Sequence, residues 1–300
     1  MPLINPMCAH GFRLSSGEHH DRSWNRLADS RVPAGFFDQA LCRNIEELKM
    51  KKFSIITVCL NAPKTERTCE SIVNQTFQDF EWIVIDGGSN AETLAIFEKY
   101  KSRMDYFVSE PDGGIYFGMN KGIQQASGER LHFLNAGDCY ADQNVLCTVN
   151  SFVDLFPDVD VLHGKKLMHN GRLIFSTDDM LNKDAWSKAC MVQQPATFHK
   201  YEIFKKFGKF RTDYKIVSDY AFYMNLFFRH CRFKHIDCLV AYFDEAVASH
   251  ASNPLHIAER QRVLDEFFPK KETSTSVLDI EKAKKYHIIS QLRDKVRKSR

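Results

Sequence analysis

Residues Arg130–Asp138 read RLHFLNAGD, an apolar run that stops abruptly at a polar turn. The segment Leu131–Leu134 has the character of a buried strand, and Asn135–Asp138 has turn composition with one carboxylate. A buried parallel strand that ends in small residues and an acid is where an α/β domain places its ligand chemistry. The rest of the chain can therefore be interpreted by which residues it places near Asp138.

The sequence before this turn alternates between strand and helix patterns. Apolar, β-rich runs predict strands at Phe53–Leu60, Phe80–Ile85 and Tyr106–Val108, and helical periodicity predicts helices at Thr65–Gln75, Ala91–Lys101 and Ile115–Ala126. Strands and helices that alternate at this spacing predict a mostly parallel sheet wrapped by helices through right-handed crossovers.

Three of these strands end in an acid next to glycine or alanine: Asp86, Asp112 and Asp138. Ligands of open α/β sheets bind outside the carboxyl ends of the strands. The three loops are therefore expected to converge on one ligand.

After Asp138 the pattern becomes mixed. Strands are predicted at Val159–His163, Lys165–Phe175, Ala196–Phe198, Phe233–Ile236 and Leu239–Phe243, with a hairpin turn at Asn170-Gly171, and helices at Val145–Phe156, Lys200–Lys206, Asp219–Arg229 and Leu255–Phe268. We interpret residues 50–250 as the compact domain, with a mixed region after the parallel sheet. Residues 1–49 show no periodicity and are predicted to be a loosely ordered extension, and residues 251–300 a helical, basic tail.

Composition and cysteine spacing exclude several classes of protein. The chain has 44% hydrophobic and 26% charged residues and a net charge of +3, which is ordinary for a globular protein. Its nine cysteines form no Cys-x-x-Cys pair, so neither a zinc site nor a disulfide framework is indicated. No apolar run reaches the length of a membrane span, and the charged N-terminus does not resemble a signal peptide, so we expect a cytoplasmic protein.

Common nucleotide motifs are absent from the sequence. Neither the dinucleotide pattern Gly-x-Gly-x-x-Gly after the first strand nor a Walker loop occurs. The glycine-rich stretches at 86–89 and 112–114 could each be a plain turn. Their recurrence beside a third acidic loop is what favours a ligand site.

Five segments together resemble a known family. They are SIITVCLN (54–61), EWIVIDGGS (81–89), SEPDGGIY (109–116), MNKGI (119–123) and FLNAGD (133–138). In this order and spacing they resemble a family-2 glycosyltransferase with the GT-A (Rossmann-like) fold, in particular the branch that builds bacterial exopolysaccharides such as colanic acid. The resemblance covers residues from about 53 to 245.

The resemblance implies a donor site for a nucleotide sugar, formed by Thr57, Asn61, Asp86, Gly87, Gly88, Ser89, Asp112, Gly114, Asn120 and Lys121. Thr57 and Asn61 would line the nucleotide pocket, and Asp86 would accept a hydrogen bond from the base. Gly87 and Gly88 would let the backbone pass close to the ligand.

The remaining donor residues would lie near the sugar. Asp112 and the segment 114–121 would approach the ribose and the donor sugar, and Asn120 and Lys121 could bond to sugar hydroxyls or to the diphosphate. Lys121 is equally well explained as a solvated residue on a helix surface.

The turn Asn135–Asp138 stands where the family has its Asp-x-Asp metal motif. The resemblance therefore implies Mg²⁺ or Mn²⁺ bound near Asp138 and Asn135, which would neutralise the departing nucleoside diphosphate. Only Asp138 is a carboxylate here, because Asn135 replaces the first acid. A weaker metal site is expected, with most ligands coming from diphosphate and water.

The acceptor side is implied by two later segments. Asp219, in the segment 215–220, resembles the catalytic base, although Ser218 stands where the family often has Glu, and an acid at a helix start also suits a cap. Gln194, in the segment 194–198, resembles an acceptor-side position where the family often has His.

The resemblance implies an inverting glycosyltransferase of bacterial surface polysaccharide synthesis, acting on a saccharide or polyprenyl-diphosphate-linked acceptor and not on nucleic acid. Residues 281–300 carry eight Lys/Arg and two acids, 8 − 2 = +6, which favours peripheral association with an anionic membrane surface. Two alternatives remain open at this point: a sugar-nucleotidyltransferase, and a non-catalytic subunit that binds nucleotide sugars.

Overall fold

A computed structural model of the chain describes residues 50–62, 64–243 and 253–269. The predicted extension 1–49 and the basic segment 281–300 lie outside the described residues, so both remain predictions. Among the residues that are described, no helix is both long and apolar enough to cross a bilayer.

The described residues form nine strands and eight α-helices, together with short 3-10 turns. The strands are β1 Phe53–Cys59, β2 Phe80–Asp86, β3 Tyr106–Ser109, β4 Arg130–Phe133, β5 Cys139–Tyr140, β6 Val161–Met168, β7 Leu173–Ile174, β8 Thr197–Lys200 and β9 Phe233–Phe243. The helices are α1 Thr65–Val73, α2 Ala91–Tyr100, α3 Ile115–Gln125, α4 Val145–Leu155, α5 Lys183–Lys188, α6 Tyr201–Phe207, α7 Ser218–Phe228 and α8 Pro254–Phe267.

All strands belong to one sheet with the order β3-β2-β1-β4-β8-β6-β9-β5, and β7 pairs with β6. The pairs β1–β2, β1–β4 and β2–β3 are parallel, and β8 runs antiparallel to both β4 and β6. The strand–helix alternation before Asp138 thus produces the parallel part, because parallel strands need crossover helices. The predicted α/β fold, with a mixed region after a mostly parallel sheet, is confirmed.

The sheet is covered on both faces. All seven residues of β1 are buried, and they alternate between two apolar clusters. Ile56 and Val58 pack on the face covered by α3 and α7, whereas Ile55 and Cys59 pack on the face covered by α1 and α4. A strand whose side chains are buried on both faces reads as a continuous apolar run, as this one does.

The last long strand differs from the prediction. The two strands expected at 233–236 and 239–243 form one strand, β9, which bulges opposite β6 between the pairs His163–His235 and Lys165–Leu239. Gly164 does not join two strands but lies within β6, where a Cβ would come 2.6 Å from the Cys238 carbonyl oxygen. Close backbone approach at a bulge therefore explains this glycine.

Candidate functional site

The predicted loops meet at the carboxyl edge of the parallel strands. The Gly87 N–H donates to the carbonyl of Cys59 (2.8 Å), and a Cβ on Gly87 would lie 3.5 Å from Asp112 Oδ1. The Ala136 N–H donates to the Val58 carbonyl (3.0 Å), which attaches the third loop to the end of β1. Adjacent parallel strands place their carboxyl ends side by side, so all three loops border one site.

Asp86 shapes the β2 loop. Its side chain is fully buried, and Oδ2 accepts from the backbone N–H of Gly88 (3.1 Å), the N–H of Ser89 (2.8 Å) and the hydroxyl of Ser109 (2.6 Å). The Ser89 hydroxyl donates to Oδ1 at 2.5 Å. Protein donors therefore surround both oxygens, and the expected hydrogen bond from a nucleotide base stays a prediction.

Thr57 and Asn61 have different positions. Thr57 is fully buried in mid-strand, and its hydroxyl accepts from the indole N–H of Trp82 (3.0 Å); its expected contact with the nucleotide stays a prediction. Asn61 is exposed at the rim with a φ of 50°, and its Oδ1 accepts from the Asn90 N–H (2.7 Å). Asn61 therefore still borders the predicted pocket.

Asp112 lies in the loop before α3. Its Oδ1 accepts from the N–H of Gly114 (2.8 Å), whereas its buried Oδ2 has no hydrogen-bond partner. Burying an acceptor without a hydrogen bond costs free energy, so this oxygen is suited to accept a hydrogen bond from a ligand or a water molecule. Unlike Asp86, Asp112 therefore has a buried oxygen with unused hydrogen-bonding capacity.

Asn120 and Lys121 of α3 are engaged with the protein itself. The Asn120 side chain donates to the Phe210 carbonyl (2.8 Å) and accepts from the Phe210 N–H (3.0 Å). Lys121 forms an ion pair with Glu110 (2.8 Å) in which both side chains are partly exposed. These two hydrogen bonds attach α3 to the segment before α7, and the expected role of Asn120 toward the donor stays a prediction. For Lys121 the surface interpretation fits better.

The turn that carries Asp138 is held by α1. The Thr68 hydroxyl accepts from the Gly137 N–H (2.9 Å) and donates to the Asp138 carbonyl (2.6 Å), and Arg67 Nη2 donates to the Gly137 carbonyl (2.6 Å). Gly137 has a φ of 103°, which other residues rarely adopt. Sequence reasoning missed this clamp, although a threonine on the buried face of an amphipathic helix was a usable signal.

The polar side chains of this turn, Asn135 and Asp138, offer oxygen atoms as ligands. Asp138 is 5% exposed, and the amide Oδ1 of Asn135 is buried without a hydrogen-bond partner. Carboxylate and amide oxygens are suitable ligands for Mg²⁺ or Mn²⁺. No group of three or more His, Cys, Asp or Glu able to hold a metal occurs in the described ranges. The residues thus fit a hard cation whose remaining ligands come from elsewhere.

Asp219 is fixed through one oxygen only. Its Oδ1 accepts from the Tyr220 N–H (2.8 Å) and lies 3.0 Å from the Tyr116 hydroxyl, and Oδ2 forms no hydrogen bond with any described residue. The N-cap residue of α7 is Val217 and no side chain caps that end, but Asp219 lies in the first turn, which is the other part of the non-catalytic alternative and is compatible with a catalytic role. Burial raises the pKa of Asp219, and Tyr220, Tyr116 and Lys166 partly offset this rise.

Lys166 is a residue of the site that sequence reasoning missed. It lies on β6, is 8% exposed, and its Nζ is 4.0 Å from the centre of the Phe243 ring. Its ammonium interacts electrostatically with both Asp138 and Asp219. The usable signal was a charged residue in a strand otherwise buried on that face.

Gln194 is buried, and its Nε2 donates to the Phe133 carbonyl (3.2 Å). This amide supports the end of β4 just before Asn135, and the expected contact of Gln194 with an acceptor stays a prediction. The carboxyl ends of β1, β2 and β3 thus carry Asn61, Gly87 and Asp112 at one edge of the sheet, next to the turn after β4 with Asn135 and Asp138.

Comparison with known proteins gives one family. The family model described as glycosyl transferase family 2 matches residues 54–231, well over half of the chain. A PGL/p-HBAD biosynthesis glycosyltransferase of Mycobacterium bovis is 30% identical over 183 residues, which cover 58% of this chain and 69% of that protein. An uncharacterized glycosyltransferase of Mycobacterium tuberculosis is 29% identical over 218 residues, covering 71% and 82% of the two chains.

Solved structures share the fold. The chain matches Staphylococcus aureus TarS residues 1–349 in complex with UDP at a TM-score of 0.59 and 23% identity, covering 74% of this chain and 67% of that one. Mannosyltransferase PcManGT from Pyrobaculum calidifontis, in complex with GDP-Man and Mn²⁺, matches at 0.51 and 17% identity, covering 71% and 61%. The chain spans 42% of the longer TarS structure. These matches confirm the GT-A fold class.

Proposed function

The chain belongs to glycosyl transferase family 2, and we propose that it is an inverting enzyme that moves a sugar from a nucleotide-sugar donor to an acceptor hydroxyl. The observation that carries this proposal is the Asp219 carboxylate. Its Oδ1 is held by protein donors, and its Oδ2 remains able to accept a proton. Its raised pKa also makes it a better base than an ordinary aspartate.

In the proposed reaction Asp219 Oδ2 accepts the proton of the acceptor hydroxyl. The hydroxyl oxygen attacks the anomeric carbon of the donor sugar while the bond from that carbon to the diphosphate oxygen breaks. The nucleoside diphosphate leaves with the bonding electron pair. One direct displacement with one base inverts the anomeric configuration, because no covalent glycosyl-enzyme intermediate forms.

The donor side is proposed to contact the nucleotide through Asn61, Gly87 and Asp112, the parts of the three loops that are not sealed by the protein. Asp138 and Asn135 would hold Mg²⁺ or Mn²⁺ together with diphosphate oxygens and water. When bound, such a cation supplies positive charge to the departing diphosphate. Buried Thr68 and half-buried Arg67 hold the turn in the conformation that this role needs.

The acceptor is proposed to be a saccharide or a lipid-linked sugar of a bacterial surface glycan. Support comes from similar proteins, whose names refer to PGL/p-HBAD biosynthesis and, for Staphylococcus aureus TarS, to poly(ribitol-phosphate) β-N-acetylglucosaminyl transfer. Attraction of the basic segment 281–300 to an anionic membrane would bring the enzyme to a polyprenyl-diphosphate-linked acceptor.

The test uses the full chain and a panel of UDP- and GDP-sugars with Mn²⁺. Release of nucleoside diphosphate identifies the donor, and early ¹H NMR spectra show which anomer of the sugar forms. We expect an α-linked donor to give the β-sugar first. Asp219→Asn should lower the rate by about 10²–10⁴-fold, the usual contribution of a general base.

The matched control is Asp184→Asn, which changes an exposed acid on α5 that pairs with Lys188. This variant should keep the wild-type rate. Wild-type turnover in Asp219→Asn, or a first-formed α-sugar from an α-linked donor, would reject the inverting mechanism. Binding of a nucleotide sugar without any release or transfer would favour the non-catalytic alternative.

A further inference from the structure

The site contains a buried cation with no close ionic partner. Lys166 is 8% exposed, yet its ammonium forms no hydrogen bond or salt bridge with any residue in the described ranges. Its contact there is the Phe243 ring, 4.0 Å away. A desolvated ammonium next to an aromatic face gains some cation–π energy but still lacks the hydrogen bonds that it had in water.

Lys165, the residue before Lys166 on β6, is a lysine with an ordinary, partly solvated environment. Lys165 points to the opposite face of the strand, is partly exposed and pairs with Asp237. Lys166 instead faces the site, within electrostatic reach of both Asp138 and Asp219. Burial lowers the pKa of Lys166, and the two aspartates counteract this, so the ammonium is kept beside the groups proposed to act on the donor and the acceptor.

The low negative charge of the turn Asn135–Asp138 indicates a function for the Lys166 ammonium. Asn135 stands where a second carboxylate would strengthen cation binding, so the turn carries a single acid, Asp138. A nucleoside diphosphate gains negative charge as it leaves, and a fixed ammonium in a site of low dielectric stabilises that charge well. A hydrated lysine on the surface would be far less effective.

We propose that Lys166 is a diphosphate-binding residue whose ammonium contacts the leaving group of the donor and supplies charge that a divalent cation alone does not. This assignment rests on the proposed function. It implies that nucleoside diphosphates bind this chain measurably without any divalent cation, and that Lys166 is responsible for that component of binding.

The experiment is a ligand-observed NMR titration of UDP, GDP and the corresponding nucleosides in excess EDTA, repeated with Mn²⁺. Lys166→Met should weaken binding of the diphosphate at least tenfold in EDTA and should change binding of the nucleoside less than twofold. Lys166→Arg should retain most of the affinity, because it keeps the positive charge. Lys165→Met is the matched control and should bind like wild type.

A second measurement separates a binding role from a structural one. Because Lys166 is buried without an ionic partner, Lys166→Met should melt at a temperature equal to or above that of wild type while binding diphosphate less tightly. If Lys166→Met binds the diphosphate like wild type, or loses nucleoside and diphosphate binding equally, the assignment is wrong and the proposed function stands. If the wild type binds neither UDP nor GDP even with Mn²⁺, both are overturned.

Discussion

The two halves of the sheet use their polar side chains differently. In the donor-side half, β1–β4 with α1–α3, most polar side chains bond to the protein itself, as Asp86 and Asn120 do. In the acceptor-side half, β6, β8 and β9 with α7, Lys166 and Asp219 Oδ2 have no hydrogen-bond partner among the described residues. The first half therefore builds most of the frame and leaves Asp112 Oδ2 and Asn135 Oδ1 open to a ligand. The second half contributes the Lys166 ammonium and the second carboxylate oxygen of Asp219.

This difference also separates stability from activity. Buried polar groups that are fully hydrogen-bonded contribute to stability, and removing one leaves its partners buried without a hydrogen bond. Groups with unused hydrogen-bonding capacity cost stability and are retained where they serve a ligand or a reaction. Variants in the two halves should thus fail in opposite ways.

The largest effect on stability is expected from Asp86→Ala. This change removes the acceptor of the Gly88 and Ser89 N–H groups and of the Ser89 and Ser109 hydroxyls, and Ser89 among them is buried. The free energy of unfolding should fall by about 2–4 kcal/mol, because buried donors lose their acceptor. Urea denaturation followed by circular dichroism measures the loss.

The control for Asp86→Ala is Asp219→Asn in the other half, whose stability should stay within about 1 kcal/mol of wild type. Equal destabilisation by the two variants would contradict the division between frame and reactive groups.

An intermediate effect is expected from Asn135→Asp. The change adds a second carboxylate to the turn that carries Asp138, next to the unpaired position of Asn135 Oδ1. Affinity for Mn²⁺ in the presence of the nucleoside diphosphate should rise about tenfold, which is about 1.4 kcal/mol. Electron paramagnetic resonance of free Mn²⁺ measures this directly, with Asp142→Asn, in the exposed turn before α4, as a surface control. Unchanged affinity would argue against a cation at this turn.

The smallest effect is expected from Tyr116→Phe, as a change in the pH profile. The Tyr116 hydroxyl lies 3.0 Å from Asp219 Oδ1 and lowers the pKa of that carboxyl, so its loss raises the pKa further. The rate depends on ionised Asp219 and falls as the pH drops through its pKa. The acid limb should therefore move to higher pH by up to about one unit, with little change in the rate at high pH.

The control is Tyr100→Phe, at the C-terminal end of α2, and its pH–rate profile should match that of wild type. A shift of the Tyr116→Phe limb toward lower pH would show that Asp219 is not the group that titrates.

Most of the fold and part of the site could be predicted from the sequence. The buried parallel strands, their crossover helices and the loops at Asp86, Asp112 and Asp138 follow from local patterns, because periodicity and turn composition are local properties. The continuous strand β9 could not be predicted, since the polar Asp237 looks like a turn and only pairing with β6 makes it a bulge.

The roles of individual polar residues depended on contacts between distant segments. A motif shows that Asp86 or Asn120 ends a strand or lies on a helix, but not whether Ser109 or Phe210 occupies its hydrogen-bonding atoms. Lys166 could not be predicted either, because no sequence motif marks it as a residue of the site. Its significance follows from burial beside two aspartates that are far away in the chain. Composition and periodicity decide which segments form strands and where loops converge; tertiary packing alone decides which polar atoms remain available for chemistry.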